Sequence, residues 1–289
     1  MATDRDPLLR YLKVQSRVDS ELRKILREAA VEVAREITRL AQKPGVGSRT
    51  REAQLALFLE FLKEYYEELW VHEIMPVISK AFPLAIQAAN QAAEFIDQVL
   101  RTAVGERQAE ALLDSVRVQA RLAQQLDLEA RGRLLSTRVW NNVDRAVELA
   151  QRRIQTHLVT GSVNARELAR DVRGLVDPST PGGTSYAAMR LARTEINTAF
   201  HERQKQIAEE KPGVEGVRWN LSRSHPRKDR CDVLAEGHSP GKRRGVYVPG
   251  SVPDKPHPQC LCFLTYEMMP ERDFVNMLRA ELGKAPLIS

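Results

Sequence analysis

The feature that most constrains this chain is an apolar stripe that returns every three or four positions through much of the first 160 residues. Such spacing places one side chain per turn on the same face of an α-helix. We therefore predict a helix over 8–42, ended by Pro44, and further helices from about 49 onward, over 84–103 and over 107–157. Between residues 18 and 40 the stripe consists of Val18, Leu22, Ile25, Ala29, Val33, Ile37 and Leu40.

The second helix carries the largest apolar side chains, which predict its buried face. Pro76 and Pro83 predict a kink or break after it, because proline lacks the amide hydrogen that a helix interior needs. Trp140 is the predicted core anchor of the helix over 107–157. The predicted buried face of the second helix consists of Leu55, Phe58, Leu59, Leu62, Tyr66, Leu69 and Trp70.

After residue 160 the pattern changes. Two more helices, over 165–176 and 184–210, precede an alternating stretch in which Val217, Trp219 and Leu221 point one way. A period of two predicts a strand, and residues 259–266 predict a second strand, followed by a helix over 270–282. The predicted fold class is therefore mainly α with a small α+β C-terminal lobe. A helical scaffold domain spans 1–160, and a second domain spans 161–289, with a loop-rich, two-stranded Cys/His lobe at 217–266.

The excess positive charge lies in the same lobe. The chain has a net charge of +6, and residues 217–262 hold nine Lys and Arg against four Asp and Glu, a net of +5. A basic surface attracts phosphate backbones without reading a base sequence, so nonspecific DNA is a candidate partner, and a solvated basic face is the alternative interpretation. We expect no membrane association, since no run of eighteen uncharged apolar residues occurs. The charged N-terminus predicts synthesis in a reducing cytoplasm.

All three cysteines lie between residues 231 and 262, which makes the lobe a candidate metal site. An odd number of cysteines fits no closed disulfide framework, and zinc prefers four tetrahedral thiolate and imidazole ligands. Cys260 and Cys262 would leave the same face of a strand. The predicted zinc ligands are Cys231, His257, Cys260 and Cys262, with His225 as the main substitute.

Other interpretations of the lobe stay open. Asp229 or His238 is an alternative fourth ligand, and a disulfide from Cys231 to Cys260 or Cys262 is another state of the thiols. A metal-free lobe with buried cysteines is the simplest alternative. Because the lobe has little apolar material of its own, a bound metal would supply folding free energy that packing lacks.

We expect the protein not to be an enzyme. The sequence contains no G-x-S-x-G, H-E-x-x-H or phosphate-binding glycine loop. The alternative function is a metal-dependent nuclease or hydrolase that uses the Cys/His lobe. It would need an open metal position and a carboxylate base such as Asp229, Asp232 or Glu236.

The charged residues Arg193 and Glu195 lie two positions apart on the predicted helix over 184–210, so they point about 200° apart. An ion pair from either of them to the Cys/His lobe is one interpretation, and a solvated helix face is the other, which the spacing favours.

Taken in order, these residues resemble the Mu F-like family of phage head morphogenesis proteins. The resemblance covers roughly residues 150–266. It includes Ser-His-Pro before the first cysteine, Gly245-Val246-Tyr247 before the last histidine, and Leu261 where relatives often have arginine. The residues that carry it are Arg193-Thr194-Glu195, Asn197, Ala199, Trp219, Asp229-x-Cys231-Asp232 and Pro256-His257-Pro258-x-Cys260-x-Cys262.

The resemblance implies a minor capsid protein that is present in few copies in the virion. It implies association with the portal protein and with capsid or scaffold proteins, and a role in head assembly or in DNA packaging and delivery. It places the protein in the capsid interior near the portal, after a stage in the host cytoplasm.

Overall fold

Helices account for most of the computed structural model, which describes residues 6–44, 51–159, 165–178, 180, 183–223, 225 and 227–281. The fold class is confirmed, since a small antiparallel sheet lies near the C-terminus of a mainly helical chain. The expectation of two strands is wrong, because the described residues form three, and the additional strand has only two residues, too few to show an alternating pattern. The helices are α1 (Asp6–Ala41), α2 (Arg51–Glu67), α3 (Met75–Val104), α4 (Glu106–Val159), α5 (Ala165–Val176), α6 (Thr184–Glu210), α7 (Arg230–Glu236) and α8 (Glu271–Glu281). The strands are β1 (Val214–Asn220), β2 (Val246–Tyr247) and β3 (Phe263–Met268).

One compact unit, which we call the helical unit, consists of residues 15–81 and 130–195. Its core comes from apolar faces of α1, α2 and α4, with Leu26 buried and the predicted Ile25 only half-buried. The Tyr65 hydroxyl donates to the Ala29 carbonyl over 2.9 Å. Burying such side chains supplies most of the stability of a helix in a protein. Fully buried members include Leu22, Leu26, Val33 and Ile37 of α1, Leu62 and Tyr66 of α2, and Val139 and Ala150 of α4.

Of the kink or break predicted near Pro76, the break is wrong, because the chain stays helical from α2 into α3; the irregularity there is a π-helical turn at Glu68–Ile74. A proline ring clashes with the carbonyl of the residue four positions earlier in a regular helix. For Pro76 that residue is His72, which lies in the wider π turn. Pro83 is accommodated inside α3.

By length and composition alone, the helical stretch Ala53–Gln98 is apolar enough to cross a membrane. Half of its most apolar window is buried inside the protein. The core helix of a soluble protein has the same character, so this stretch is weak evidence for a membrane span.

The prediction that Trp140 anchors the core is also wrong, because 44% of its surface is exposed. The buried stripe of α4 in this unit runs through Leu135, Val139 and Val143. Trp140 follows Val139 by one residue, which turns its side chain about 100° away from that stripe.

The second compact unit consists of residues 1–14, 82–129 and 196–289. Tyr11 stacks on Phe200 with ring centroids 4.4 Å apart, and the predicted close-packing alanines of α3 are buried, among them Ala88, Ala89 and Ala92. This division follows spatial contacts and does not test the domain boundary predicted at residue 160, which stays a prediction.

The sheet lies in the second unit, with strand order β2-β1-β3 and both pairs antiparallel. The Trp219 amide donates to the Gly245 carbonyl over 2.8 Å, so Trp219 directs its backbone groups toward β2. Its partner Leu264 therefore directs its own carbonyl to the outer edge of β3. There the Gln204 side chain donates to that carbonyl over 3.3 Å, and this contact covers part of the edge.

The second predicted strand begins later than expected. Cys260 and Cys262 precede β3 in a loop, so the expectation that both extend from one face of a strand is wrong. The reason is the left-handed backbone at Gln259, with a φ of 58°, which turns the chain just before the two cysteines. A left-handed non-glycine residue is uncommon, and sequence periodicity does not reveal it.

Candidate metal centre

The first half of the centre is set by the N-terminus of α7. The Asp229 carboxylate accepts a hydrogen bond from the Cys231 amide over 2.6 Å, and the Asp229 amide donates to the Asp232 carboxylate over 2.8 Å. These reciprocal bonds form a capping box, which fixes where a helix begins. Cys231 is thereby held in the first turn of α7 with its side chain fully buried.

Glycine at position 245 lets the chain return from α7 to the sheet. Gly245 has a φ of 77°, which L side chains rarely adopt, and an added Cβ would lie 2.8 Å from the Ala235 carbonyl oxygen. Its amide donates to the Gly237 carbonyl over 2.7 Å. The next residues form β2, and the Tyr247 hydroxyl donates to the Leu234 carbonyl over 2.7 Å. The Gly-Val-Tyr motif therefore packs α7, which carries Cys231, against the sheet.

The second half of the centre is the loop that contains His257, Cys260 and Cys262. Its preceding residues are tied to α6, because Lys205 forms an ion pair with Asp254 and the His201 ring lies 3.0 Å from the Pro253 carbonyl oxygen. Two anchors on one helix thus position a loop that has no regular secondary structure.

The two halves bring together all five predicted ligands. The Cys231 sulfur lies 3.4 Å from the Cys260 sulfur and 3.2 Å from His257 Nε2. Ligand atoms of Cys231, His257 and Cys260 lie within 4.8 Å of one another, and so do those of His225, Cys231 and Cys262. Sulfurs bound at about 2.3 Å to one tetrahedral zinc lie about 3.8 Å apart. The cluster therefore has the dimensions and the donor types of a metal site.

Both histidines have one ring nitrogen engaged by a neighbour, as metal-ligating histidines usually do. His257 Nδ1 donates to the Pro258 carbonyl over 2.9 Å. Its Nε2 then faces both the Cys231 sulfur and an Asp229 carboxylate oxygen, each at 3.2 Å. An imidazole nitrogen, a sulfur and a carboxylate that meet at one point can share either a proton or a metal ion. His225 Nε2 lies 2.9 Å from the Asp232 carboxylate, and that contact raises the pKa of His225.

The three thiols share their protons unequally. Hydrogen bonding from the Cys262 thiol, together with the nearby Lys255 ammonium, lowers the pKa of Cys260 to about 5. Burial and the Cys260 thiolate raise the pKa of Cys231 to about 12, and the bond to Cys260 followed by burial raises that of Cys262. Without an ion, the cluster therefore holds one thiolate and two thiols, so a metal that takes all three sulfurs would displace two protons. All three cysteines are free of disulfide bonds.

Lys255 is a functional candidate that sequence reasoning missed. Its ammonium group donates to the Cys262 carbonyl and lies 5.6 Å from the centre of the Trp219 ring. Burial lowers the pKa of Lys255, while the neighbouring thiols oppose that change. A cation next to a cysteine-rich site offsets the negative charge that three thiolates would bring. Only its position two residues before His257 links it to the ligands in sequence.

The other residues that the sequence offered as metal ligands or as a catalytic base have different surroundings. His238 is exposed and belongs to none of the metal-binding groups among the described residues. Glu236, a proposed base for the hydrolase, forms an ion pair with Arg244 over 2.6 Å. Asp229 and Asp232 do form a further group with His225, although both also serve the capping box.

Arg193 is half-buried and Glu195 is buried, and both form ion pairs within the helical unit rather than with the Cys/His lobe, so the solvated face that the spacing favoured is wrong for Glu195. Arg193 pairs with Asp19 of α1 over 2.7 Å. Glu195 is 3% exposed and pairs with Arg138 of α4. An ion pair between distant helices has no signature in local periodicity, which explains why the sequence did not reveal these contacts.

Comparison with known proteins yields no match to a family model, to a curated protein or to a solved structure. The geometry of the cluster and the motif spacing are therefore the grounds for a functional conclusion.

Proposed function

We propose that this protein is a minor capsid protein of a tailed bacteriophage, associated with the portal protein and acting in head assembly or in DNA packaging and delivery. The observation that carries the proposal is the convergence of Cys231, Cys260, Cys262, His225 and His257 from two segments about 25 residues apart. These are the residues through which the chain resembles the Mu F-like family, and their proximity gives that motif spacing a physical reason.

Within this role the cluster binds one zinc ion as a structural element. Three sulfurs and one imidazole would complete a tetrahedral site, and a structural zinc keeps no open position. His257 is the preferred fourth ligand, since its Nε2 faces the Cys231 sulfur, and His225 is the substitute. When bound, the metal would join α7 to the loop before β3.

A metal-dependent nuclease or hydrolase is the second candidate function, favoured by the group of His225, Asp229 and Asp232. Their side chains already accept or share hydrogen bonds that begin α7. A structural role therefore has the stronger support, because these carboxylates are committed to holding the fold.

The test of the metal site is zinc content by mass spectrometry of protein purified under reducing conditions. We expect about one zinc per chain and the displacement of about two protons when zinc is added to apoprotein near neutral pH. Metal-free protein that binds no added zinc and keeps the same thermal stability would contradict the structural zinc.

The test of the assembly role is the protein content of purified phage particles. We expect the chain in few copies per particle, together with the portal protein, and particles that lack it to assemble or deliver DNA poorly. Its absence from both particles and assembly intermediates would contradict the proposal. Turnover of nucleic acid by the zinc-loaded protein, abolished in Asp229→Asn, would favour the hydrolase.

A further inference from the structure

Four side chains near the candidate metal centre carry exposed positive charge with no ion pair among the described residues. They are Arg223, Arg227, Lys228 and Arg230, which we call the basic segment. They fall within eight consecutive positions between β1 and the first residue of α7.

The other lobe arginines differ because their charges are used within the fold. Arg218 and Arg243 both bind Glu267, over 2.7 and 2.9 Å. Arg244 binds Glu236. Glu267 and Glu236 therefore pair with arginines that lie outside the basic segment.

The two acidic residues closest in sequence do not neutralise the segment. Asp229 accepts from the Cys231 amide and faces His257. Asp232 accepts from the Asp229 amide and lies against His225. Both carboxylates point into the candidate metal centre, which leaves the four cations to solvent.

We propose that the basic segment binds the phosphodiester backbone of nucleic acid. Three of its four members are arginines, whose planar guanidinium groups match phosphate oxygens with two hydrogen bonds each. Phosphates recur along a strand, so several neighbouring cations engage one backbone at once. Each contact releases a counterion, and four contacts give a slope of about −3.6 in log affinity against log salt.

The surroundings of the segment set what kind of contact it makes. It lies on a loop and on the start of a seven-residue helix, and it lacks a long helix or a β-ribbon that would enter the major groove to read base edges. Binding is therefore independent of base sequence. Residues 223–230 contain no apolar side chain apart from proline, whereas membrane-surface binding needs an apolar face to insert.

The proposal rests on the proposed function in one respect, since the candidate zinc ligand Cys231 directly follows Arg230 and the substitute ligand His225 lies within the segment. The experiment measures binding of the zinc-loaded full chain to 30-base-pair DNA and RNA duplexes of mixed sequence by fluorescence anisotropy, between 50 and 200 mM salt. Affinity should fall about 100-fold over that range for either duplex.

The decisive comparison uses two variants with equal loss of charge. R223Q/R227Q/K228Q/R230Q removes the basic segment, and R17Q/R23Q/K24Q/R27Q removes three arginines and one lysine from exposed positions on α1. The first should reduce the salt slope by about one for each cation removed with zinc content unchanged, and the second should leave the slope as it is.

Several results would overturn the proposal: an equal loss of binding in both variants, a wild-type slope near zero, or tighter binding to anionic phospholipid vesicles than to either duplex. If the protein holds no zinc and still binds the duplexes normally, the proposed role of the basic segment stands and the structural zinc is refuted. Failure of either idea is therefore distinguishable from failure of the other.

Discussion

The helical unit and the Cys/His lobe are stabilised in different ways. The helical unit buries a repeated apolar stripe on α1, α2 and α4, so many side chains contribute similar amounts. The lobe has a three-stranded sheet and one short helix, and its buried residues include all three cysteines. The fold of the helical unit therefore depends on many positions, whereas the fold of the lobe depends on a few residues with specific chemistry.

The comparison predicts the largest effect for the loss of a candidate zinc ligand. Cys260→Ser should lose the zinc and expose residues 223–262 to proteolysis, because metal binding supplies on the order of 10 kcal/mol in small zinc sites. His257→Gln should weaken zinc binding as well, whereas His238→Gln, at an exposed position outside the cluster, should behave as wild type. The measurements are zinc per chain and limited proteolysis. A Cys260→Ser protein with full zinc and wild-type protease resistance would refute the proposed ligand set.

A core truncation in the helical unit should have the next largest effect. Leu22 is fully buried on α1, so Leu22→Ala should lower the free energy of unfolding by about 2–5 kcal/mol. Zinc content should stay unchanged, because the residue lies outside the lobe. Urea denaturation followed by circular dichroism measures the loss, and Leu9→Ala, at a position that is 54% exposed, is the control. Equal effects of the two changes would show that the stripe does not form the core.

The buried imidazole of His201 should make stability depend on pH. Burial, followed by the nearby Lys255, lowers the pKa of His201 to about 3, whereas an unfolded histidine titrates near 6.5. Below pH 6.5 the unfolded chain takes up a proton that the folded chain excludes, so stability falls as pH falls, by up to about 1.4 kcal/mol per pH unit. Above pH 6.5 this contribution no longer changes.

His201→Gln should therefore flatten the decline in stability between pH 6.5 and 4.5, and His72→Gln, at an exposed position, should keep it. Urea denaturation of the zinc-loaded protein at each pH, with the zinc content measured in parallel, separates this effect from acid release of zinc. An unchanged pH dependence in His201→Gln would mean that other groups cause the decline.

The smallest predicted effect belongs to the helix cap. Asp229→Ala removes the acceptor for the Cys231 amide, which should cost about 1 kcal/mol and weaken zinc binding by misplacing Cys231. Asp229→Asn keeps an acceptor oxygen and should restore most of the loss. Zinc competition with a chelator measures both variants. Identical affinities in the alanine and asparagine variants would show that the cap does not position the thiol.

Local patterns were sufficient to predict the long helices and which Cys and His side chains come together in the lobe, but they missed the short helix α7 and the two-residue strand β2. Helix periodicity is repeated over many turns, so the helices were predictable even though the break expected at Pro83 is wrong, since Pro83 lies inside α3. The spacing of Cys231, His257, Cys260 and Cys262 pointed to residues that converge, because few other residues in the lobe have side chains of the types that can bind metals. The assignment of helix faces was wrong at Trp140. Its large apolar side chain is typical of a core residue, but its position on α4 turns it away from the buried stripe.

Contacts that depend on the path of the chain were not predictable from the sequence. The left-handed turn at Gln259 has no local signature, and the pairing of Arg193 with Asp19 joins residues 174 positions apart. The Asp229–Asp232 capping box was detectable, since Asp-x-x-Asp at the start of a helix is a variant of a known capping pattern. Lys255 lies beside the thiols because of the path of the loop, which the sequence does not reveal.

The side-chain cover on the outer edge of β3 has a consequence for the protein in a crowded cell. An uncovered edge strand is a template on which a second chain pairs, and such pairing leads to aggregation. Here the Gln204 side chain donates to the Leu264 carbonyl of β3, and Lys255 donates to the carbonyl of Cys262, the residue just before β3. These two carbonyls are thus not free to accept hydrogen bonds from the backbone of a second copy, which opposes pairing of sheet to sheet.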